Sequence, residues 1–383
     1  MKILEVSSAE QIGGGERHLI GIVRGLTAKG HSVDLLVRPN SPIKNLFSTY
    51  NVLELPLVSA VDFYSALRLS RLLENYDLVH AHYARDYPVV ALAMKLARRK
   101  RPHLCYVFTR HHYLPVKNNF LYRSLLAEAD AAIAVSHYVE SRLLERLRWP
   151  KAQIGSIDET PCIVHIPNWV DREKICPRLP RDRYLQMLGL PKDRVVITVV
   201  NRLDEDKGQH LLLDACACIE ANFHVILAGS SASQSYLEKL EAQVRKAGLE
   251  KRVTFAGQVE DIASLLAASD ICVVPSFDEA FSLSCLEAMS AGRSVIAACA
   301  GGLKELIEDG VSGLHFAPGD SNDLAKKLKL LIEDAVLREK LAAVAQKRAE
   351  YYSYERALGL TVQLFTELSL RRQQMPLPTF RKF

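Results

Sequence analysis

No stretch of this 383-residue chain stays apolar for the roughly 20 residues that a membrane-spanning helix needs. The opening Met1-Lys2-Ile3-Leu4-Glu5-Val6 runs straight into a strand pattern with an acid inside it, so no leader peptide is expected. The eight cysteines include no Cys-x-x-Cys pair. Cys216-x-Cys218 is too close for a zinc knuckle and no second pair follows, so buried free thiols in a reducing cytoplasm are expected. Charge of one sign is also scarce. Lys and Arg number 49 against 44 Asp and Glu, a formal +5, which argues against a nucleic-acid binder. The pattern G-x-G-x-x-G is missing after the first strand, which disfavours a nicotinamide dehydrogenase.

What is present is a regular alternation. Short apolar runs read as strands at 2–6, 31–37, 52–55, 78–80, 103–108 and 131–135, with helical patterns between most of them. A second series begins at Ile163–Ile166 and continues at 195–200, 223–228, 253–256, 271–274 and 294–299. Alternation of this kind predicts doubly wound α/β sheets, and the length suits two domains. The proline-rich stretch Cys176–Arg181 reads as a linker. The expected division is 1–178, 179–352 and a final helix with its tail at 353–383, the tail basic from Arg371 and carrying two prolines.

The most informative stretch is Pro275–Ala297, PSFDEAFSLSCLEAMSAGRSVIA. A buried strand leads into a turn, and a helix begins near Ser282 and closes at Gly292. Strand, loop and helix in that order offer helix N-terminal amides at the carboxyl edge of a sheet, a natural anion site. Glu279 precedes the helix and Glu287 lies about five residues into it, roughly 7–8 Å further along its axis. An ionised carboxylate only accepts hydrogen bonds, so sugar and ribose hydroxyls suit both acids.

Histidines gather at strand ends in the first half. His80 and His82 stand at i and i+2, facing one way only if the strand continues through both. They read as ligand-edge residues rather than metal ligands, since no third ligand is evident. His111 and His112 follow the strand ending at Phe108, and either is placed to bond a sugar hydroxyl. Gly13-Gly14-Gly15 lets backbone approach a ligand closely, or is a plain turn. Lys95–His103 is a basic run that reads as a solvated helix end. With Arg68, Arg71, Lys117 and Arg123 it has a second reading, attraction to an anionic membrane surface.

The Glu279–Glu287 stretch resembles the Glu-x7-Glu signature of retaining nucleotide-sugar glycosyltransferases of family 4, which have the GT-B fold. Pro275, Ser276, Glu279, Leu286, Glu287, Ala288, Met289, Gly292, Val295, Ala297, Gly301, Gly302 and Glu305 fall in step with it. Ala280 and Ser282 stand where glycine or proline is usual, and Ser294 where proline is usual. Alanine at 280 is strained if the backbone there has positive φ. Asn201-Arg202-x4-Lys207-Gly208 is similar to the family's Gly-Arg-x4-Lys-Gly element, and Pro167-Asn168-Trp169-Val170-Asp171 departs from its usual motif at Trp169.

The resemblance implies two Rossmann-like domains facing a cleft, with the last helix crossing back to the first. It implies a metal-independent, retaining transfer of a sugar from a nucleotide diphosphate, UDP foremost, to a saccharide or lipid-linked hydroxyl, with no cofactor. An envelope glycan of lipopolysaccharide type and a place on the cytoplasmic face of the inner membrane are family expectations. Arg202 and Lys207 would neutralise the diphosphate, Glu279 would hold sugar hydroxyls, and Glu287 would hold the ribose. His111 would contact the sugar, with His112 the other candidate. Gly14, Gly15, Gly229, Ala280, Phe281, Ser282 and Leu283 would complete the donor site; Glu16, His82 and His112 would face the acceptor. The acids Asp204, Glu205 and Asp206 read as solvated. A GT-B sugar-nucleotide epimerase or hydrolase, and a nucleotide-binding pseudoenzyme, remain alternatives.

Overall fold

The computed structural model describes every residue except 11–12, 61, 115–119, 232 and 375–383. Lys117 and the tail beyond residue 374 thus lie outside the described residues. Contacts divide the chain into two units, one of Met1–Asn168 with the segment beginning at Glu355, the other of Trp169–Tyr354. The first division precedes the residue-178 boundary read from the prolines. Val170 already donates its N–H to Tyr352 and pairs with Ser353, so the chain joins the second unit before the linker composition begins.

The first unit carries β1 (Lys2–Ser7), β2 (Ser32–Val37), β3 (Val52–Glu54), β4 (Leu78–Ala81), β5 (Cys105–Arg110), β6 (Ala131–Ala134) and β7 (Cys162–His165). They form one parallel sheet in the order β3-β2-β1-β4-β5-β6-β7. Helices cover parallel sheets on both faces, which is why β4, β5 and β6 are buried at every position. β5 starts and ends two residues later than its apolar run suggested. Leu104 closes a turn onto Arg101, and the ladder extends until Arg110 pairs with Ala134. Thr109 and Arg110 are therefore buried strand residues rather than loop.

The helix Tyr354–Gln374 packs on this first sheet. Phe365 sits edge-on to His80 at 5.3 Å between ring centroids. The Glu367 carboxylate accepts the N–H groups of Gly155 and Ile157, both at 2.7 Å. Arg372 and Arg98 together neutralise buried Asp130, each with a nitrogen 2.6 Å from its carboxylate.

The second unit carries β8 (Val195–Val200), β9 (Phe223–Ala228), β10 (Val253–Gly257), β11 (Ile271–Val274), β12 (Ser294–Ala298) and β13 (Leu314–Phe316). Its sheet runs β10-β9-β8-β11-β12-β13 and is also parallel. These are the two Rossmann-like α/β domains expected of a GT-B protein. In each sheet the order reverses beside the unit's first strand, between β1 and β4 and between β8 and β11. Loops beyond the carboxyl ends of those strands diverge and leave a crevice where ligands bind. All eight cysteines are free, five of them buried. No described helix is long and apolar enough to cross a membrane.

Candidate functional site

At the switch point of the second unit, the loops after β8 and β11 meet. The loop after β11 ends where Ser282 caps the helix Leu283–Ser290, its Oγ accepting the Cys285 N–H. A serine is a strong N-cap, which accounts for the side chain that stands where glycine or proline was expected. Glu279 lies in this loop. Its Oε1 accepts from Lys207 Nζ at 2.8 Å and from Ser276 Oγ at 2.9 Å. Lys207 ends the short 3-10 turn Glu205–Lys207 after β8. Both charges are largely withdrawn from water, which strengthens their attraction and orients both groups.

Two glycine contacts hold the Glu279 loop in place. Gly208 has φ +69°, and a Cβ there would lie 2.2 Å from the Pro275 carbonyl oxygen. Gly301 has φ +48°, and its Cβ would lie 2.3 Å from the Glu279 carbonyl oxygen. The Phe277 N–H donates to Asp206 and the Gly302 N–H to Glu279, at 3.0 and 2.8 Å. Ala280 is not among the residues with positive φ, so the strain considered for it does not arise. It is buried, as is Phe281, while Leu283 is half-buried.

Arg202 lies in the same β8 loop, with half its side chain exposed and Nη2 2.6 Å from Asp204 Oδ2. Asp204 therefore is not one of three solvated acids; it pairs with the arginine, whereas Glu205 and Asp206 are exposed. Such a surface pair contributes at most about 1 kcal/mol. Glu287 is the fifth residue of the Leu283–Ser290 helix and is half-buried. Gly229 follows β9 directly and donates its N–H to Gly257 at 2.7 Å.

The switch point of the first unit holds imidazoles. Parallel register sets Glu5 of β1 beside His80 of β4. The ladder continues past β4, since the His82 N–H donates to Val6, so both histidines share a side with rings 4.1 Å apart. Glu5 Oε2 lies 2.6 Å from His82 Nε2 and 2.9 Å from His80 Nδ1. His80 Nε2 reaches Thr109 Oγ1 at 2.7 Å. His18, on the inner side of the helix Gly14–Ala28, and His111, just past β5, complete the group. His111 faces it and lies 3.6 Å from the position of a Gly15 Cβ, whereas His112 is exposed. Gly14 and Gly15, read as loop, form the first turn of that helix. Glu16 turns back to accept the Gly13 N–H at 2.8 Å, acting as a helix cap.

Burial holds the His18 and His111 imidazoles well below their ordinary range and His82 at about 4. Burial alone would raise Glu5, but His80 and the hydrogen bonds from both imidazoles bring it to about 2. These histidines stay neutral when folded and take protons near 6.5 when unfolded. The unfolded state therefore binds more protons below that value, and stability falls as pH drops from 6.5 toward 4. Glu5 acts lower, its contribution intact above 4.5 and lost as pH falls toward 2. Urea unfolding compared at about pH 7.5 and about pH 5 should show about 2 kcal/mol lost through His82 alone. Equal midpoints would contradict this account.

Comparison with known proteins bears on both units. Residues 12–174 match the family model described as Glycosyltransferase Family 4, and residues 180–348 match Glycosyl transferases group 1. The chain belongs to the family 4 glycosyltransferases. Among relatives of this glycosyltransferase is a D-inositol 3-phosphate glycosyltransferase of Corynebacterium urealyticum, 27% identical over 97% of this chain and 95% of the relative. Among solved structures, Anabaena HepE in complex with UDP is 26% identical, covers 96% of this chain and all of its own, and superposes with a TM-score of 0.83. The same protein in complex with UDP-glucose gives a TM-score of 0.79 over 98% of this chain, again at 26% identity.

The glycosyltransferase brings Lys207, Glu279 and Arg202 into two adjoining loops, and separately joins His82 and His111 in one cluster. Sequence reasoning missed Ser276 as a partner of Glu279, and His18 and Glu5 as members of the cluster. A signal was available for Glu5, since an acid inside a buried strand demands a partner. His18 carried a weaker one, sitting in step with buried Leu19, Ile22 and Leu26 on one helix face.

Proposed function

We propose that this glycosyltransferase moves a sugar from a UDP-sugar to a hydroxyl of a saccharide or lipid-linked saccharide, with retention at the anomeric carbon and no metal at the diphosphate. The Lys207–Glu279 pair at the switch point carries this reading: a cation for the leaving phosphate is bonded directly to an acceptor for sugar hydroxyls. UDP and UDP-glucose bound to HepE support the choice of nucleotide. Arg202 offers a planar fork and Lys207 a point charge to the two phosphates. Glu279 and Glu287 accept from sugar and ribose hydroxyls.

In the transfer, the bond from the anomeric carbon to the β-phosphate oxygen breaks first and an oxocarbenium forms briefly. The acceptor oxygen bonds to the same face of that carbon. Its proton passes to the phosphate oxygen that has just left. Charge grows on that oxygen in the transition state, so Arg202 and Lys207 stabilise it more than the ground state.

The helix Phe63–Leu72 favours a lipid-linked acceptor in the envelope over a soluble phosphorylated polyol like that named for the Corynebacterium relative. Phe63, Tyr64 and Leu67 are exposed beside Arg68 and Arg71, an apolar strip edged with positive charge that suits an anionic membrane surface. Co-sedimentation with anionic vesicles is expected and should drop severalfold in Leu67→Glu; equal binding to neutral and anionic vesicles would count against it.

The reaction is tested by NMR of UDP-glucose incubated with and without acceptor saccharides. An α-linked product with UDP release supports transfer. Free glucose or an epimerised nucleotide sugar, formed equally well without acceptor, would assign the chain to hydrolysis or epimerisation. UDP binding without any turnover would mark a pseudoenzyme.

A further inference from the structure

We propose that His18, His82 and His111 form a binding site for one divalent transition ion of the zinc type, with Glu5 as the outer partner of His82. The geometry comes first. Ring centroids stand 4.6 Å apart for His18 and His111, 5.7 Å for His18 and His82, and 5.8 Å for His82 and His111. Three imidazoles on one tetrahedral ion have centroids about 5 Å apart. One ring nitrogen from each residue lies within 4.8 Å of the others. Bonds of about 2 Å to zinc require nitrogens about 3.4 Å apart, so the ion would draw the rings together by at most about 1.4 Å.

The hydrogen bonding points the same way. A carboxylate only accepts, so His82 donates to Glu5 through Nε2 and its Nδ1 carries a bare lone pair. Among the described residues that Nδ1 is buried without a hydrogen-bond partner, and the same holds for both ring nitrogens of His111. A buried polar atom without a partner destabilises the fold unless something binds it. A carboxylate behind a histidine whose other nitrogen is bare is the usual outer arrangement of a metal site. A ligand set of imidazoles alone suits zinc, cobalt, nickel or copper and excludes magnesium and calcium, which take oxygen. The competing set Glu5, His80 and His82 is engaged internally, since His80 is bonded to Thr109.

The ion ties the start of the helix Gly14–Ala28 to the ends of β4 and β5 and leaves its fourth position open. It is independent of the donor assignment, because the diphosphate charge remains with Arg202 and Lys207.

The test uses untagged full-length protein stripped with a chelator and titrated with Co²⁺, then Zn²⁺. The expected result is one Co²⁺ per chain with visible absorption of a tetrahedral site, displaced by zinc, and a raised thermal midpoint. His18→Ala and His82→Ala should each weaken binding at least about 100-fold, and Glu5→Gln about 10- to 100-fold, with far-UV circular dichroism unchanged. Folded wild-type protein that binds no stoichiometric cobalt overturns the proposal without recourse to any variant. So does binding that persists in His18→Ala, or that is lost instead in His165→Ala, a histidine outside the cluster that packs against His137.

Discussion

Lys207→Ala is expected to lower kcat/KM for release of UDP from UDP-glucose by 10²- to 10³-fold, about 3–4 kcal/mol, while leaving the fold intact. The lysine has two tasks. Before the donor arrives, it is bonded to Glu279 at 2.8 Å and orients that carboxylate. In the transfer proposed above, its charge faces the phosphate oxygen that becomes more negative. Removing it forfeits the second contribution and leaves Glu279 with only the Ser276 hydroxyl. The carboxylate is then partly buried beside a developing negative charge and opposes the reaction. Arg202→Ala should act more on binding than on turnover, because half of that side chain is exposed and it is paired with Asp204. Lys207→Arg should recover little, since a planar guanidinium does not reproduce a point charge at the end of a flexible stem. Unchanged kcat/KM in Lys207→Ala would remove the lysine from the reaction.

Gly208→Ala should destabilise the second unit by at least about 3 kcal/mol and abolish nucleotide binding. Two penalties add. A positive φ of +69° disfavours alanine by about 1 kcal/mol. The new Cβ also falls 2.2 Å from a backbone oxygen of Pro275, which cannot swing away as a side chain would. Relief requires separating the β8 and β11 loops, and with them Lys207 from Glu279. Gly248→Ala provides the comparison. Its φ is +67°, but nothing lies within 4 Å of its Cβ position, so only the conformational penalty of about 1 kcal/mol applies. Thermal unfolding and UDP calorimetry on the two variants separate steric conflict from strain. Equal losses in both would contradict the packing argument.

The alternation of apolar runs was legible because strands buried on both faces leave no other reading, and the two switch points follow from strand order. Glu279, Arg202 and Lys207 stood out as candidates because their loops carry a spaced pattern of small and charged residues, and Glu287 because it lies in the helix that follows. Pairing was not legible. Nothing in the local letters says that Lys207 bonds Glu279, seventy-two positions away, or that Glu5 lies beside His80; those follow from parallel register and from close backbone approach at Gly208 and Gly301. The histidine cluster shows the difference plainly. His82 and His111 stood out singly at strand ends, but a third ring arrives from a helix, where a histidine looks like any other half-turn of the pattern. Glu16 illustrates the opposite case, a residue marked for ligand contact whose carboxylate is engaged by its own helix.

On the proposed function, the loops after β8 and β11 bind a nucleotide diphosphate through Arg202 and Lys207. Calorimetric titration of UDP, GDP and ADP into wild-type protein and into Arg202→Ala tests it most directly. The account predicts micromolar binding of UDP, weaker binding of the other two, and loss of UDP binding by at least about tenfold in the variant. Failure of all three nucleotides to bind the folded wild type, or binding of UDP that is indifferent to Arg202, would contradict it.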